Sequence, residues 1–276
     1  MFLQTVKQSN EYSRLQAACS TKGAAALFGL PAPARALLYA TLAQETKQPL
    51  IVVTSGEAEA TRMAQDLNAL GVAAGIFPFR DLLLRPIEGT NREIEYRRLQ
   101  VLGQLSSGQL SCVCLSVESL LLCTMPPAEF SKNTFCVQFG QTIAQANLLE
   151  MLLQGGYQRR SQVEGAGQFS VRGGILDIFV PDMNTPVRIE FWGDEIDSIH
   201  TFDLITQRRE DPLEQIKISP AREVLFSNPQ ETATLLRNAI SHQKGQSAHK
   251  LEQILSHDLS LLDSGVMPVA MDRYLM

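Results

Sequence analysis

A chain of 276 residues, 45% hydrophobic and 19% charged, has room for two or three packed units and is too apolar to be an intrinsically disordered segment. Its formal charge of -5 leaves no basic excess for gripping a phosphate backbone, which argues against nucleic acid and for proteins as partners. An odd set of five cysteines is no disulfide framework, and the absence of a signal-like N-terminus or an apolar run of ~18 residues points to the cytoplasm.

The first half reads as alternating strands and helices. Ala24–Leu30 is a short apolar run read as a first strand, followed by a helix over 34–46 with Leu37, Leu38 and Leu42 at helical spacing. Leu50–Val53 reads as a β-branched strand buried on both faces. A helix opens at Ser55-Gly56 and runs to Leu70, with Ala60, Met63, Ala64 and Leu67 as its inner stripe and Gly71 as its stop. Ala73–Phe77 reads as a third strand, Arg92–Leu105 as a helix after a loop containing Pro78 and Pro86, and Leu110–Leu115 as a fourth strand. On that strand Cys112 and Cys114 share one face as small buried hydrophobes, not as metal ligands. Such alternation predicts a parallel sheet with helices on its faces.

Pro126-Pro127 marks a change of pattern. Thr134–Phe139 alternates as a strand and Ile143–Leu153 reads as a helix. Closely spaced strands follow over Gln168–Arg172, Ile175–Phe179, Val187–Trp192 and Ile196–Phe202, with turns at Gly173-Gly174 and Gly193-Asp194. From Pro229 the chain is helical and polar, with Leu235, Ile240, Leu251, Ile254 and Leu255 as inner positions and an interruption at Gly245. Asp272–Met276 reads as the interior of an element, which implies a longer protein cut short. The fold class is α/β, with a parallel-sheet domain, a strand-rich α+β domain inserted into it and a partial helical segment.

Gly29-Leu30-Pro31-Ala32-Pro33-Ala34-Arg35-Ala36 stands where a phosphate-binding loop of the form G-x-x-x-x-G-K-[ST] would lie. Gly29 fits. Ala34 replaces the second glycine, Arg35 the lysine and Ala36 the hydroxyl residue for Mg²⁺, while Pro33 lacks an N–H for a phosphate oxygen. The loop is therefore read as a degenerate nucleotide site, and no cofactor or metal is expected.

This loop resembles Gly-Leu-x-Gly-Ser-Ala-Arg-Ala near the start of bacterial transcription-repair coupling factors, matching at Gly29, Leu30, Ala34, Arg35 and Ala36 and departing at Ala32 and Pro33. Phe77-Pro78 and Arg97-Arg98-Leu99 also resemble that family, although Phe79-Arg80-Asp81-Leu82 replaces its usual acidic-aromatic pattern. The stretches from Gly156 to Glu164, Gly167 to Phe179 and Pro186 to Ile199 are similar almost word for word to a domain that coupling factors share with UvrB. Phe202-Asp203, Gln207-Arg208 and Pro220-Ala221-Arg222-Glu223 continue the match, which covers about residues 23 to 226. The resemblance implies a UvrB-like first domain over 1–126, a UvrA-binding domain over 127–209, and over 210–276 a return to the first domain followed by the start of a helical region. It also implies that full-length members bind RNA polymerase and translocate on DNA with ATP by machinery not visible in this stretch.

On Val187–Trp192, Arg188, Glu190 and Trp192 fall on one strand face and Val187, Ile189 and Phe191 on the other. Arg172, just before the Gly-Gly turn, can reach the polar face. Arginine and tryptophan are the side chains enriched at interface hot spots, and the resemblance places Arg172, Arg188 and Trp192 on the UvrA-contacting surface. Burial of Trp192 as a core ring, and a merely solvated Arg–Glu pair, remain open on sequence alone. Residues 157–209 hold 6 arginines against 8 acids, which disfavours a DNA surface. Asp194, Glu195 and Asp197 read as turn formers rather than acid–base groups, and His242, His249 and His257 as solvated. Two other functions stand beside docking. One is the front of UvrB, an ATP-dependent damage-verification helicase, which would need Gly, Lys and Thr at 34–36. The other is an autoinhibitory role, since the resemblance implies a distant domain that covers the docking surface.

Overall fold

The computed structural model describes residues 2–20, 24–46, 48–80, 92–225, 228–242, 246–266 and 268. Asp81, Leu82, Pro86, Phe226, Gly245 and Asp272–Met276, invoked above, lie outside the described residues. The chain forms two units: residues 1–79 with 101–121, and residues 80–100 with 122–276.

The first unit begins with helices α1 (Phe2–Lys7) and α2 (Asn10–Ser20), which the apolar pattern did not announce. Ser9 joins them: its hydroxyl accepts from Tyr12 N at 3.2 Å and donates to Val6 O at 2.9 Å, as an N-cap does. Tyr12 and Leu15 pack on Leu38 of α3 (Ala32–Glu45), and the Tyr12 hydroxyl donates to Glu45 at 2.5 Å. Residues 24–30 form no strand. Three alanines and no β-branched residue give that run little strand propensity, and Phe28 lies 90% exposed. The parallel sheet of this unit therefore has three strands where four are expected: β1 (Leu50–Thr54), β2 (Ala74–Phe77) and β3 (Cys112–Ser116), in the order β1-β3-β2.

Helix α4 (Glu57–Ala69) connects β1 to β2 and buries Ala60, Met63, Ala64 and Leu67, the stripe read from the sequence. Gly71, at φ +80°, ends it, and Val72 N then returns to Leu67 O at 3.0 Å, satisfying a carbonyl of the last turn. Central β3 is buried along its length. Cys112 and Cys114 face the α3 and α4 side, and Val113 and Leu115 face Val101 and Phe77. A hydrogen bond with Cys112, reinforced by burial, pushes the Cys114 thiol up, so it stays protonated. β1 departs from expectation: Val52 and Thr54 are buried but Ile51 and Val53 are exposed, because β1 is an outer strand covered on one face only. Helix α6 (Val117–Leu121) follows β3. Helix α5 (Glu93–Ser106), before β3, gives its residues from Val101 onward to this unit and Glu93–Gln100 to the second.

The second unit is organised around a six-stranded sheet. In chain order its elements are α7 (Pro127–Lys132), β4 (Phe135–Gln138), α8 (Gln145–Gln154), β5 (Gln158–Arg159), β6 (Gln168–Arg172), β7 (Ile175–Phe179), β8 (Val187–Trp192), β9 (Glu195–Phe202), β10 (Arg209–Pro212), β11 (Gln215–Ile218), α9 (Pro229–Ser241) and α10 (Gln246–Asp263). The sheet order is β10-β9-β8-β7-β6-β5, antiparallel except for the β5–β6 pair, and β11 pairs with β4 in a separate ribbon. Strand alternation sends Phe169, Leu176, Ile178, Val187, Ile189 and Ile199 to one face, where α8 (Leu148, Leu152) and the ribbon (Val137, Ile216, Ile218) close the core. Fully burying each such leucine or isoleucine contributes about 1.5–3 kcal/mol. The turns are tight at two glycines. Gly193 takes φ +63° between β8 and β9. A Cβ on Gly174 would meet Phe191 O at 2.9 Å, because Phe191 N donates to Gly174 O there.

An ion cluster lies inside this unit. Glu223 accepts from Arg98 Nη2 at 2.7 Å, Arg98 Nε at 2.9 Å, Thr124 Oγ1 at 2.8 Å and Arg80 Nη1 at 3.2 Å. Glu95 accepts the Glu223 N–H at 2.9 Å and pairs with Arg80 at 3.4 Å. Asn228 caps α9 through Gln230 N and Glu231 N. The inner row of the final helix pair is Ala233, Leu236 and Ile240 against Leu255, Leu259 and Leu262. Leu235 and Ile254, expected inside, are exposed. The apolar stripe of α9 runs through positions 233, 236 and 240, one step round the helix from Leu235. No helix among the described residues is long and apolar enough to cross a membrane.

Candidate functional site

The face of the sheet opposite α8 gathers the charged residues. Register places Ser170, Asp177, Arg188 and His200 in one row across β6, β7, β8 and β9, and Arg172, Ile175, Glu190 and Ser198 in the next. The register shifts after Glu190, leaving Asp197 as the extra residue of a bulge, and Trp192 then pairs with Glu195 at the hairpin end.

Arg172, Arg188 and Trp192 all belong to this β6–β9 face, and their settings differ. Trp192 is 82% exposed, so it is no core ring. The Arg172 side chain is 50% exposed and donates from Nη2 to Asp177 Oδ2 at 2.6 Å. The Arg188 side chain, expected on an open ribbon, is only 11% exposed. Its Nε donates to Asp177 Oδ1 at 2.6 Å, its Nη2 to Asp177 Oδ2 at 2.9 Å and to Gln207 Oε1 at 3.4 Å, and its Nη1 to Gln207 O at 3.3 Å. The guanidinium carbon lies 4.7 Å from the centre of the Phe202 ring. Hydrogen bonding to the Asp177 carboxylate holds Arg188 above its ordinary pKa. Beside it, Glu190 takes Arg209 and Ser198 as partners.

The loop after β9 completes the arrangement. Asp203 Oδ1 accepts from Thr206 N at 2.7 Å, Thr206 Oγ1 at 2.8 Å and Ile205 N at 3.2 Å, and the Thr206 bonds hold its carboxyl below the usual range. The turn leaves Ile205 exposed at its tip and puts Gln207 at φ 59°, the one non-glycine residue with positive φ among those described. Asp177, Phe202 and Gln207 are absent from the sequence reading of the site. Asp177 did leave a signal: an aspartate flanked by Leu176 and Ile178 inside a strand must either face solvent or find cations.

The degenerate-loop residues lie in the first unit. Gly29 has φ +78° in irregular chain, α3 starts at Ala32 with Pro31 as its N-cap, and Ala36 joins the core. Among the described residues no strand precedes the loop. Arg35 pairs with Glu59 at 3.3 Å, and hydrogen bonds from Ser55, with Arg35 nearby, keep the Glu59 carboxyl low. An apolar cavity of ≈ 340 Å³ lies between α1–α2 and α3, lined by residues including Val6, Tyr12, Leu15, Leu27, Leu30 and Leu38. Glu11 is the one charged residue among the described residues of its lining, which offer no cation for a phosphate. His242, His249 and His257 are exposed, and no group of three or more His, Cys, Asp or Glu among the described residues could hold a metal.

Residues 135–224, which include the whole polar face, match the family model described as the UvrB interaction domain. The transcription-repair-coupling factor of Bacillus subtilis (strain 168) is 32% identical over 260 residues, covering 90% of this chain and 22% of that protein. That of Myxococcus xanthus is 35% identical over 209 residues (72% and 17%), and that of Staphylococcus aureus (strain USA300) 27% over 233 residues (84% and 20%). The chain thus spans about a fifth of the length of the curated relatives it matches.

Proposed function

We propose, on the premise that this chain is a UvrB-like module of a transcription-repair coupling factor, that it is a non-catalytic docking module that presents UvrA with the polar face of its strand-rich unit. The observation that carries this reading is Trp192, a tryptophan 82% exposed at the end of the β8–β9 hairpin, on a strand face bearing two arginines. An exposed indole beside guanidinium groups is costly in a surface that meets only water and is the usual make-up of an interface hot spot. Arg172 and Trp192 are the reaching groups, and Arg188 lies enclosed in the row next to that of Arg172.

In this reading residues 127–209 hold the UvrA-binding domain, 1–126 a first domain whose loop at Gly29, Ala34, Arg35 and Ala36 is a degenerate nucleotide site, and 210–276 the return and a helical region. Ala36 at the core and Arg35 turned to Glu59 support that view of the loop. Contacts with RNA polymerase and DNA, and ATP-driven translocation, are assigned to the four-fifths of the relatives' length outside the match. The test is to mix the purified chain with UvrA and follow complex formation on a sizing column, then titrate the complex by calorimetry. Co-elution is expected. Separate elution at micromolar concentrations would sink the proposal.

A further inference from the structure

On the polar face two guanidinium groups, Arg172 and Arg188, share one carboxylate, and that carboxylate is almost wholly enclosed: the Asp177 side chain is 2% exposed. Asp177 is therefore unable to meet a partner itself. It receives three charged hydrogen bonds, at 2.6, 2.6 and 2.9 Å, from two arginines on two different strands. Of the five N–H groups of Arg188, two go to Asp177 and two to Gln207. Gln207 makes both contacts from a backbone conformation that side chains rarely adopt. Its loop is held in turn by Asp203. A group so fixed loses little conformational freedom on binding, which is where much of the cost of an interface lies.

We propose that Asp177 and Gln207 are positioning residues of the docking surface: they lock Arg188 in place, and Asp177 also tethers Arg172, so that both guanidinium groups are already aimed before the partner arrives. The inference rests on the docking reading above. It makes a prediction opposite in sign to simple electrostatics. Neutralising Asp177 makes the face more positive, so if charge alone mattered an acidic partner would bind the variant more tightly. If aim matters, the variant binds more weakly, because two unscreened cations side by side repel and swing apart.

The experiment compares the wild-type chain with Asp177→Asn and Gln207→Ala, using circular dichroism to check folding, the Nε–H resonance of Arg188 to report its immobilisation, and calorimetry with UvrA for affinity. In the wild type the Arg188 Nε–H signal is expected to remain visible at mildly alkaline pH, protected by Asp177. In Asp177→Asn it should broaden or vanish and UvrA affinity should fall at least tenfold. Gln207→Ala keeps the backbone carbonyl and should fall two- to fivefold, which provides a milder variant should Asp177→Asn fail to fold. Affinity within twofold of wild type, or tighter, in a folded Asp177→Asn would overturn the proposal, as would an unchanged Nε–H signal. Failure of the wild-type chain itself to bind UvrA would instead remove the docking reading, while the Nε–H comparison still decides whether Asp177 holds Arg188.

Discussion

The second unit contains two arginine–carboxylate clusters of opposite design. Around Glu223, two arginines meet two carboxylates, and Arg98 and Glu223 are sealed at 1% and 0% side-chain exposure. Around Asp177, two arginines share one carboxylate, with Arg172 half in water. The first is balanced in charge and ties segments far apart in sequence, with Arg98 and Glu223 separated by 125 residues. The second is one positive charge in excess and lies within a contiguous run of strands. Balance and enclosure are what a structural lock needs, since a charge left unpaired in the interior is costly. Excess charge at the rim of a buried carboxylate is what a recognition surface needs, since the surplus is available to a partner.

The two clusters should fail differently. The largest effect is expected for Glu223→Ala, which strands Arg98 inside: about 3–5 kcal/mol of stability lost in urea denaturation, whatever its effect on docking. A loss under about 1 kcal/mol would erase the distinction, because the inner cluster would then behave like a surface pair. Arg172→Glu attacks the other cluster from its exposed side. Affinity for UvrA should fall by at least ~2 kcal/mol with the melting curve little changed, and equal affinity by calorimetry would reject the surface assignment. Trp192→Ala should weaken the same complex by about 1–2 kcal/mol and leave folding intact, as its exposure implies. Trp192 is the only tryptophan of the chain, so replacing it with 5-fluorotryptophan gives a single ¹⁹F resonance that should shift when UvrA is added.

The smallest effect concerns a half-buried carboxylate, Asp182. Burial pushes the Asp182 carboxyl up from its ordinary value. A raised folded-state value adds stability below the unfolded pKa, and that stability is lost as pH rises through the folded one. At neutral pH, where the unfolded chain carries this aspartate ionised, the raised value therefore costs stability. Asp182→Asn should raise the urea midpoint at neutral pH and flatten its decline just above the usual aspartate range of ~3.9. An unchanged pH profile would show that Asp182 is relaxed without an arginine clamp.

Local signals made much of this architecture legible. The bounds of β6, β7 and β8 coincide with the sequence reading because each run is punctuated by glycine or proline: Gly167 and Gly173, Gly174 and Pro181, Pro186 and Gly193. The α4 stripe and its glycine stop were equally plain. Tertiary facts were not. The enclosure of Arg188 depends on Asp177 lying opposite it across a strand pair and on a loop nearly twenty residues downstream, and neither is visible in the alternation of Val187–Trp192. The exposure of Ile51 and Val53 depends on strand order, because an outer and a central strand can share one composition. Residues 24–30 misled through hydrophobicity without strand propensity, and β10, Arg-Glu-Asp-Pro, carries no apolar residue to announce it.

That last strand limits how the sheet can be approached. β10 flanks β9 with four exposed residues, three of them charged, and ends in a proline with no N–H to offer. A polypeptide trying to lengthen the sheet by adding itself as a seventh strand would meet charge and a missing donor. Self-association along that margin is discouraged.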